Sequence, residues 1–207
     1  MEDILVVYER AENPLRPVVC FDERPCQLLE GKELPIREGT GGRRVDSHYK
    51  RNGTCCVLLA VQPRGGKRVL EVRLHRRSRD YAQFLKRLAT REYPEAERIV
   101  LAQDNLNTHK MGSLYETYPP EQARALAERF EVHYTPKKGS WLNMAEIEFS
   151  AMTKQCLDRR IGSMGELRKE LQIWERRRNR EKAKIRWRFT TDSARSKLGR
   201  HYSAVRN

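Results

Sequence analysis

Apolar and polar positions follow periods that change along the chain, and the changes mark out its elements. Val18-Val19-Cys20-Phe21 is a short β-run that ends at Asp22-Glu23. Two more β-runs, Thr54 to Val61 and Val69 to Leu74, flank Pro63-Arg64-Gly65-Gly66, which predicts an antiparallel hairpin. In the second run Leu70, Val72 and Leu74 alternate with Val69, Glu71 and Arg73, the pattern of one buried face. Ser78 opens a helix as its N-cap; Tyr81, Phe84, Leu85 and Leu88 form its apolar stripe, and Pro94 closes it. Ile99 to Ala102 is another buried run, stopped by Gln103-Asp104-Asn105. A short amphipathic helix over 121–130 and a strand at Val132-His133-Tyr134 follow. From Leu142 a long helix carries Leu142, Ala145, Phe149, Met152 and Cys156 at helical spacing, and more helix runs from 163 to about 184.

Residues 1–16 are charged, with Pro14 and Pro17 near their end, and read as a connecting segment. Residues 30–53 are rich in Gly, Arg and charge; GTGGRR at 39–44 is a loop signal without the pattern of a phosphate-binding P-loop. The order strand, hairpin, helix, strand, helix, strand, helix predicts an α/β domain with a mixed sheet.

Composition narrows the class. The 207 residues are 38% hydrophobic and 34% charged, enough for one core, and no apolar stretch is long enough to span a bilayer. The chain opens Met1-Glu2-Asp3, without the basic and apolar regions of a secretory signal. Five cysteines, an odd number with no C-x-x-C pair, argue for buried thiols in a reducing cytosol and against a disulfide framework or zinc site. The net charge of +14 is unevenly spread: residues 151–207 hold 17 Lys and Arg against 6 Asp and Glu. With Trp174 and Trp187 interleaved, this segment suits nucleic acid better than a merely solvated helix surface.

Asp22 and Asp104 each follow an apolar β-run, on the side of an α/β sheet where ligands bind. Either alone reads first as a structural turn or helix N-cap residue; two at equivalent strand ends make a site. On neighbouring strands, the two converge. Converging carboxylates repel unless a cation lies between them, and oxygen donors without sulfur select Mg²⁺ or Mn²⁺. A third carboxylate comes from the helix in GSWLNMAEIEFS (139–150). Glu146 and Glu148 flank its apolar stripe by about 80° on either side, at ~100° per residue, so periodicity does not choose between them.

Asp22 after VVCF, the run VLAQDNLNTH, and YTPKKGSWLNMAEIE together resemble the catalytic domain of DDE transposases, in the bacterial insertion-sequence branch of the mariner-like superfamily. The resemblance covers essentially the whole chain and is most specific from Tyr134 to Glu148. It implies a ribonuclease H-like fold: a five-stranded mixed sheet, three antiparallel strands then two parallel ones, flanked by helices. It assigns Asp22, Asp104 and Glu146 as the catalytic, metal-holding acids, leaves Glu148 without a catalytic role, and makes Asn105, His109 and Asn143 auxiliary residues. Domains follow as a lead-in over 1–16, the catalytic domain over 17–162 and a basic helical extension over 163–207.

The activity implied is metal-dependent cleavage of DNA at insertion-sequence ends, then strand transfer to target DNA, with Asp22 bridging two Mg²⁺ or Mn²⁺ ions and Asp104 and Glu146 holding one each. Preference for TA target dinucleotides is a family expectation. Lys137, Lys138, Trp141, Arg159, Arg160, Arg176, Arg177, Arg178, Lys182 and Lys184 are the candidate DNA contacts. Trp141 reads equally as a loop aromatic packed on the sheet edge, and His109 as a helix cap. The resemblance also implies a homodimer in the synapse and action on nucleoid DNA in a bacterial cytoplasm. Family members begin with helix-turn-helix modules; this chain reads as the catalytic half, which leaves room for a separately encoded DNA-binding partner. The rival readings are another ribonuclease H-like nuclease of the resolvase type and a truncated or domesticated DNA-binding fragment without activity.

Overall fold

The structure, a computed structural model, describes residues 1–31, 49–137 and 139–203. The GTGGRR stretch and Lys138 lie outside the described residues. The elements in chain order are α1 (Glu2–Glu9), β1 (Val18–Gly31), β2 (Tyr49–Gln62), β3 (Lys67–Arg73), α2 (Ser78–Arg87), β4 (Ile99–Gln103), α3 (Gly112–Thr117), α4 (Pro120–Ala127), β5 (Phe130–Tyr134), α5 (Met144–Cys156), α6 (Met164–Arg180) and α7 (Thr191–Ser203). The strands form one sheet in the order β3-β2-β1-β4-β5. β1, β2 and β3 pair antiparallel, while β4 lies parallel to both β1 and β5. This is the ribonuclease H-like arrangement that the sequence implied.

Alternation along the strands sends side chains to two cores. On one face Phe21, Leu58 and Leu101 meet Tyr81, Phe84, Leu85 and Leu88 of the α2 stripe, with Leu114 and Leu126 from α3 and α4. On the other, Cys20, Leu59, Val100 and Ala102 meet Ala145, Phe149 and Met152 of α5 and Leu167, Leu171 and Trp174 of α6. All five cysteines are free thiols.

Three sequence expectations are corrected. β1 does not stop at Phe21; it runs through Asp22 and Glu23 to Gly31, because β2 stays paired to it as far as Gly31 opposite Tyr49. Beyond Cys20 its other edge has no strand partner among the described residues, since the β4 pairing ends at Cys20 opposite Ala102, and that edge tolerates Pro25. Residues 1–16 are more than a connection: Ile4, Leu5, Val7 and Tyr8 of α1 are buried in the α5 face. At roughly 1.5–3 kcal/mol for each buried large apolar side chain, docking outweighs the weak intrinsic stability of so short a helix. The N-cap of α2 is Arg77, whose N–H donates to Asp80 Oδ2 at 3.0 Å, and Ser78 is the first helical residue. From the basic helical extension that starts at 163, Leu167, Leu171, Trp174 and Ala194 pack into the core of α1 and α5.

Candidate active site

β1 and β4 are parallel neighbours with Val18 opposite Val100, Val19 opposite Leu101 and Cys20 opposite Ala102. Continued by two residues, the same register sets Asp22 level with Asp104. Asp104 lies just past the end of β4, and Asp22 sits where β1 loses its parallel partner, so both carboxylates emerge at one sheet opening. By alternation Asp22 shares the face of Val18 and Cys20, which is the α5 face.

α5 arrives there through Asn143. Its side-chain oxygen accepts from Ala145 N at 3.1 Å, capping the helix, and its Nδ2 donates to Phe21 O at 2.8 Å. One amide thus ties the helix start to the residue before Asp22. The Tyr8 hydroxyl adds a second tie, donating to Leu142 O at 2.8 Å. Glu146, in the first turn of α5, is exposed and lines an open cleft of about 420 Å³ with Asp22, Glu23, Arg24, Phe149, Ser150 and Thr153. Glu148 faces the other way. It is 1% exposed and bound by two guanidinium groups. Arg68 Nε and Nη2 each donate at 2.9 Å, and Arg178 Nε and Nη2 at 3.0 and 3.2 Å.

The electrostatics agree with this grouping. Burial pushes the Asp22 carboxyl up to about 7; the negative charges of Asp104, Glu23 and Glu146 push the same way, against a hydrogen bond from Glu23 N at 2.8 Å. Asp104 moves the other way. Burial would raise it, but the hydrogen bond and positive charge of His109 outweigh that and hold it below the usual carboxylate range. Burial alone would lower His109; its contacts with Asp104 and Glu23 instead raise it to about 9. His109 Nδ1 meets Asp104 Oδ1 and Nε2 meets Glu23 Oε2. His109 does not cap α3, whose N-cap is Met111. Asn105 is exposed at the start of the loop after Asp104.

Among the described residues no three His, Cys, Asp or Glu side chains already stand together as a metal-holding group. The donor chemistry fits a cation all the same. Asp22, Asp104 and Glu146 supply oxygen only, and the Asp22 carboxyl is raised first by burial and further by its acidic neighbours, both of which a hard divalent ion offsets.

The basic candidates divide. Lys137, Arg176, Lys182 and Lys184 are exposed. Arg159 pairs with Glu170 at 2.7 Å, Arg177 Nη2 donates to Gln155 Oε1 at 3.4 Å, and Arg160 lies over the Tyr49 ring at 5.5 Å. Arg178 points inward to Glu148 and Trp174, where a phosphate does not compete for it. Trp141 is half exposed and meets Phe189 edge-on at 5.5 Å, so its packing partner is the C-terminal segment and not the sheet edge.

Two residues at the site escaped the sequence reading. Glu23 looked like part of a strand terminus; its signal was a second acid directly after Asp22. Arg68, directly before the apolar run that starts at Val69, carried no signal in the sequence and is buried against Glu148.

A ribonuclease H-like sheet with Asp22 and Asp104 at one opening, and Glu146 on the helix behind, points to a class of endonucleases. The family profile of DDE superfamily endonucleases matches residues 17–168, and the chain belongs to that family. Solved structures with a similar fold include the Mos1 transposase paired-end complex with left transposon end, at 17% identity and a TM-score of 0.56, covering 87% of this chain and 56% of that one. The Mos1 mariner paired end complex with Mn has 19% identity and a TM-score of 0.54, with 87% and 54% covered. The Mos1 strand transfer complex has 16% and 0.54, with 86% and 54% covered. The chain thus spans little more than half the length of these structures, and the likeness is one of fold. No curated protein matches it by sequence.

Proposed function

We propose that this chain is the catalytic part of a transposase: a divalent-metal-dependent DNA endonuclease and strand transferase acting on insertion-sequence ends. The observation that carries the reading is the register that sets Asp22 level with Asp104, with Glu146 lining the same cleft. The Mn-containing and strand-transfer complexes of Mos1, which share the fold, support it. In this reading Asp22, Asp104 and Glu146 would hold two Mg²⁺ or Mn²⁺ ions between them, Asp22 being the acid they share. Bound there, the ions supply a hydroxide nucleophile near neutral pH and steady the leaving oxygen.

The protein's own part is positioning. Asn143 sets the reach of Glu146 across the cleft, His109 orients Asp104, and exposed Lys137, Arg176, Lys182 and Lys184 hold phosphates without reading sequence. In the first step the P–O3′ bond breaks, the oxygen of water stays on phosphorus and a 3′-OH is freed. In the second, that 3′-OH displaces a 3′-oxygen in target DNA. The reading includes a homodimer in the synapse, a separately supplied helix-turn-helix partner for end recognition, and action on cytoplasmic, nucleoid DNA. No helix among the described residues is long and apolar enough to cross a membrane.

The test is an assay of purified protein with a nicked, labelled element end, target plasmid and Mn²⁺. Joined products are expected. Cleavage without joining identifies a resolvase-type nuclease instead, and the absence of both with DNA still bound identifies a binding fragment.

A further inference from the structure

His109 is held on every side. Its side chain is 2% exposed. Phe21 meets the ring edge-on at 5.0 Å, and Tyr81 lies tilted against it at 5.1 Å. Its carbonyl accepts from Gln103 Nε2 at 2.8 Å, and the Tyr81 hydroxyl fixes that amide by donating to Gln103 Oε1 at 2.8 Å. With ring and backbone fixed, the two ring nitrogens have fixed directions, Nδ1 toward Asp104 and Nε2 toward Glu23. The Glu23 side chain is 3% exposed, and its other oxygen faces Arg76 Nη1 at 3.7 Å. Strand alternation turns it to the Phe21 face of the sheet, away from Asp22.

We infer that Glu23 is a positioning residue: through His109 it fixes the orientation of the Asp104 carboxylate, and it is not itself a cation ligand. The inference rests on the reading of Asp22, Asp104 and Glu146 as the metal site. Asp104 needs such a device. Its side chain is 36% exposed, and it stands on a loop past the end of β4, where no ladder holds it. An imidazole in ion-pair contact with Glu23 at one nitrogen presents the other to Asp104. That nitrogen engages Asp104 Oδ1, beside a hydrogen bond from the Leu106 backbone N–H to the same carboxylate. Removing a group that orients a metal ligand in this way typically costs about 10–100-fold in metal affinity.

The test is calorimetric titration of the full chain with Mn²⁺ in the absence of DNA, on variants whose circular dichroism matches the parent. Glu23→Gln and His109→Gln are each expected to weaken Mn²⁺ binding by about 10–100-fold. Glu23→Asp keeps the charge but draws it back by one methylene, and it should weaken binding as well. The double variant Glu23→Gln/His109→Gln should be no worse than His109→Gln alone, because Glu23 acts only through the ring. Parent-like affinity in both Glu23 variants overturns the inference. So does a further loss in the double variant, which makes Glu23 a ligand. Asp22→Asn separates the two levels: undiminished Mn²⁺ binding in that variant overturns the metal-site reading itself.

Discussion

Glu146 and Glu148 stand two residues apart on α5, one exposed to the cleft and the other 1% exposed beneath Arg68 and Arg178. The helical wheel left both at the rim of the apolar stripe, because periodicity says how far a residue is from the core and not what lies opposite. What lies opposite Glu148 is Arg68, 80 residues away in sequence and brought over by β3. Its guanidinium is wholly buried, so it has no water to fall back on. Glu148→Gln leaves two cations facing a neutral amide. It should cost on the order of 3 kcal/mol of stability, read as a lower midpoint of urea unfolding. An unchanged midpoint would contradict the packing described for that pair. Glu23 was hidden for the related reason that its partner, His109, lies across the sheet in the loop after β4. Asp22 and Asp104 were legible because each terminates an apolar run, which is a local signal.

At the scale of elements, the long apolar runs predicted themselves: β2, β3, β4 and α2 lie close to where hydrophobic periodicity put them. α1 did not, since its eight residues include Glu2, Asp3 and Glu9, and its identity as a helix comes from docking Ile4, Leu5, Val7 and Tyr8. The polar run Asp22-Glu23-Arg24-Pro25 imitated a strand end, although β2 carries the strand onward. The placing of α5 against β1 rests on Asn143, whose one side chain caps the helix and binds Phe21 O. Asn143→Ala removes both contacts. The loss of the cap alone should cost about 1 kcal/mol, visible in thermal unfolding. Because Glu146 sits in the first turn of that helix, the same change should lower kcat for DNA cleavage while leaving KM for DNA near the parent value. A KM effect with unchanged kcat would place Asn143 in DNA binding.

For the whole molecule, charge is the dominant feature at +14 overall, and the sequence located its excess in the last quarter of the chain. It did not show how that charge is spent. α6 buries Leu167, Leu171 and Trp174 and turns Arg178 inward, so only part of the basic surface faces solvent. DNA affinity should fall steeply with salt, and each lost phosphate contact should reduce the slope of log K against log salt concentration by about 0.9. Arg176→Ala is expected to reduce that slope in fluorescence-anisotropy titrations. Arg178→Ala is expected to leave the slope unchanged and to lower the melting temperature instead.

The central claim, that Asp22, Asp104 and Glu146 act together in cutting DNA, is tested most directly by single-turnover cleavage of a nicked element end in Mn²⁺. The parent is compared with Asp22→Asn, Asp104→Asn, Glu146→Gln and Glu148→Gln, each at a temperature where it is folded. The account predicts that the first three variants lose cleavage while still binding DNA, and that Glu148→Gln still cuts. Cleavage that survives Glu146→Gln but not Glu148→Gln would contradict it.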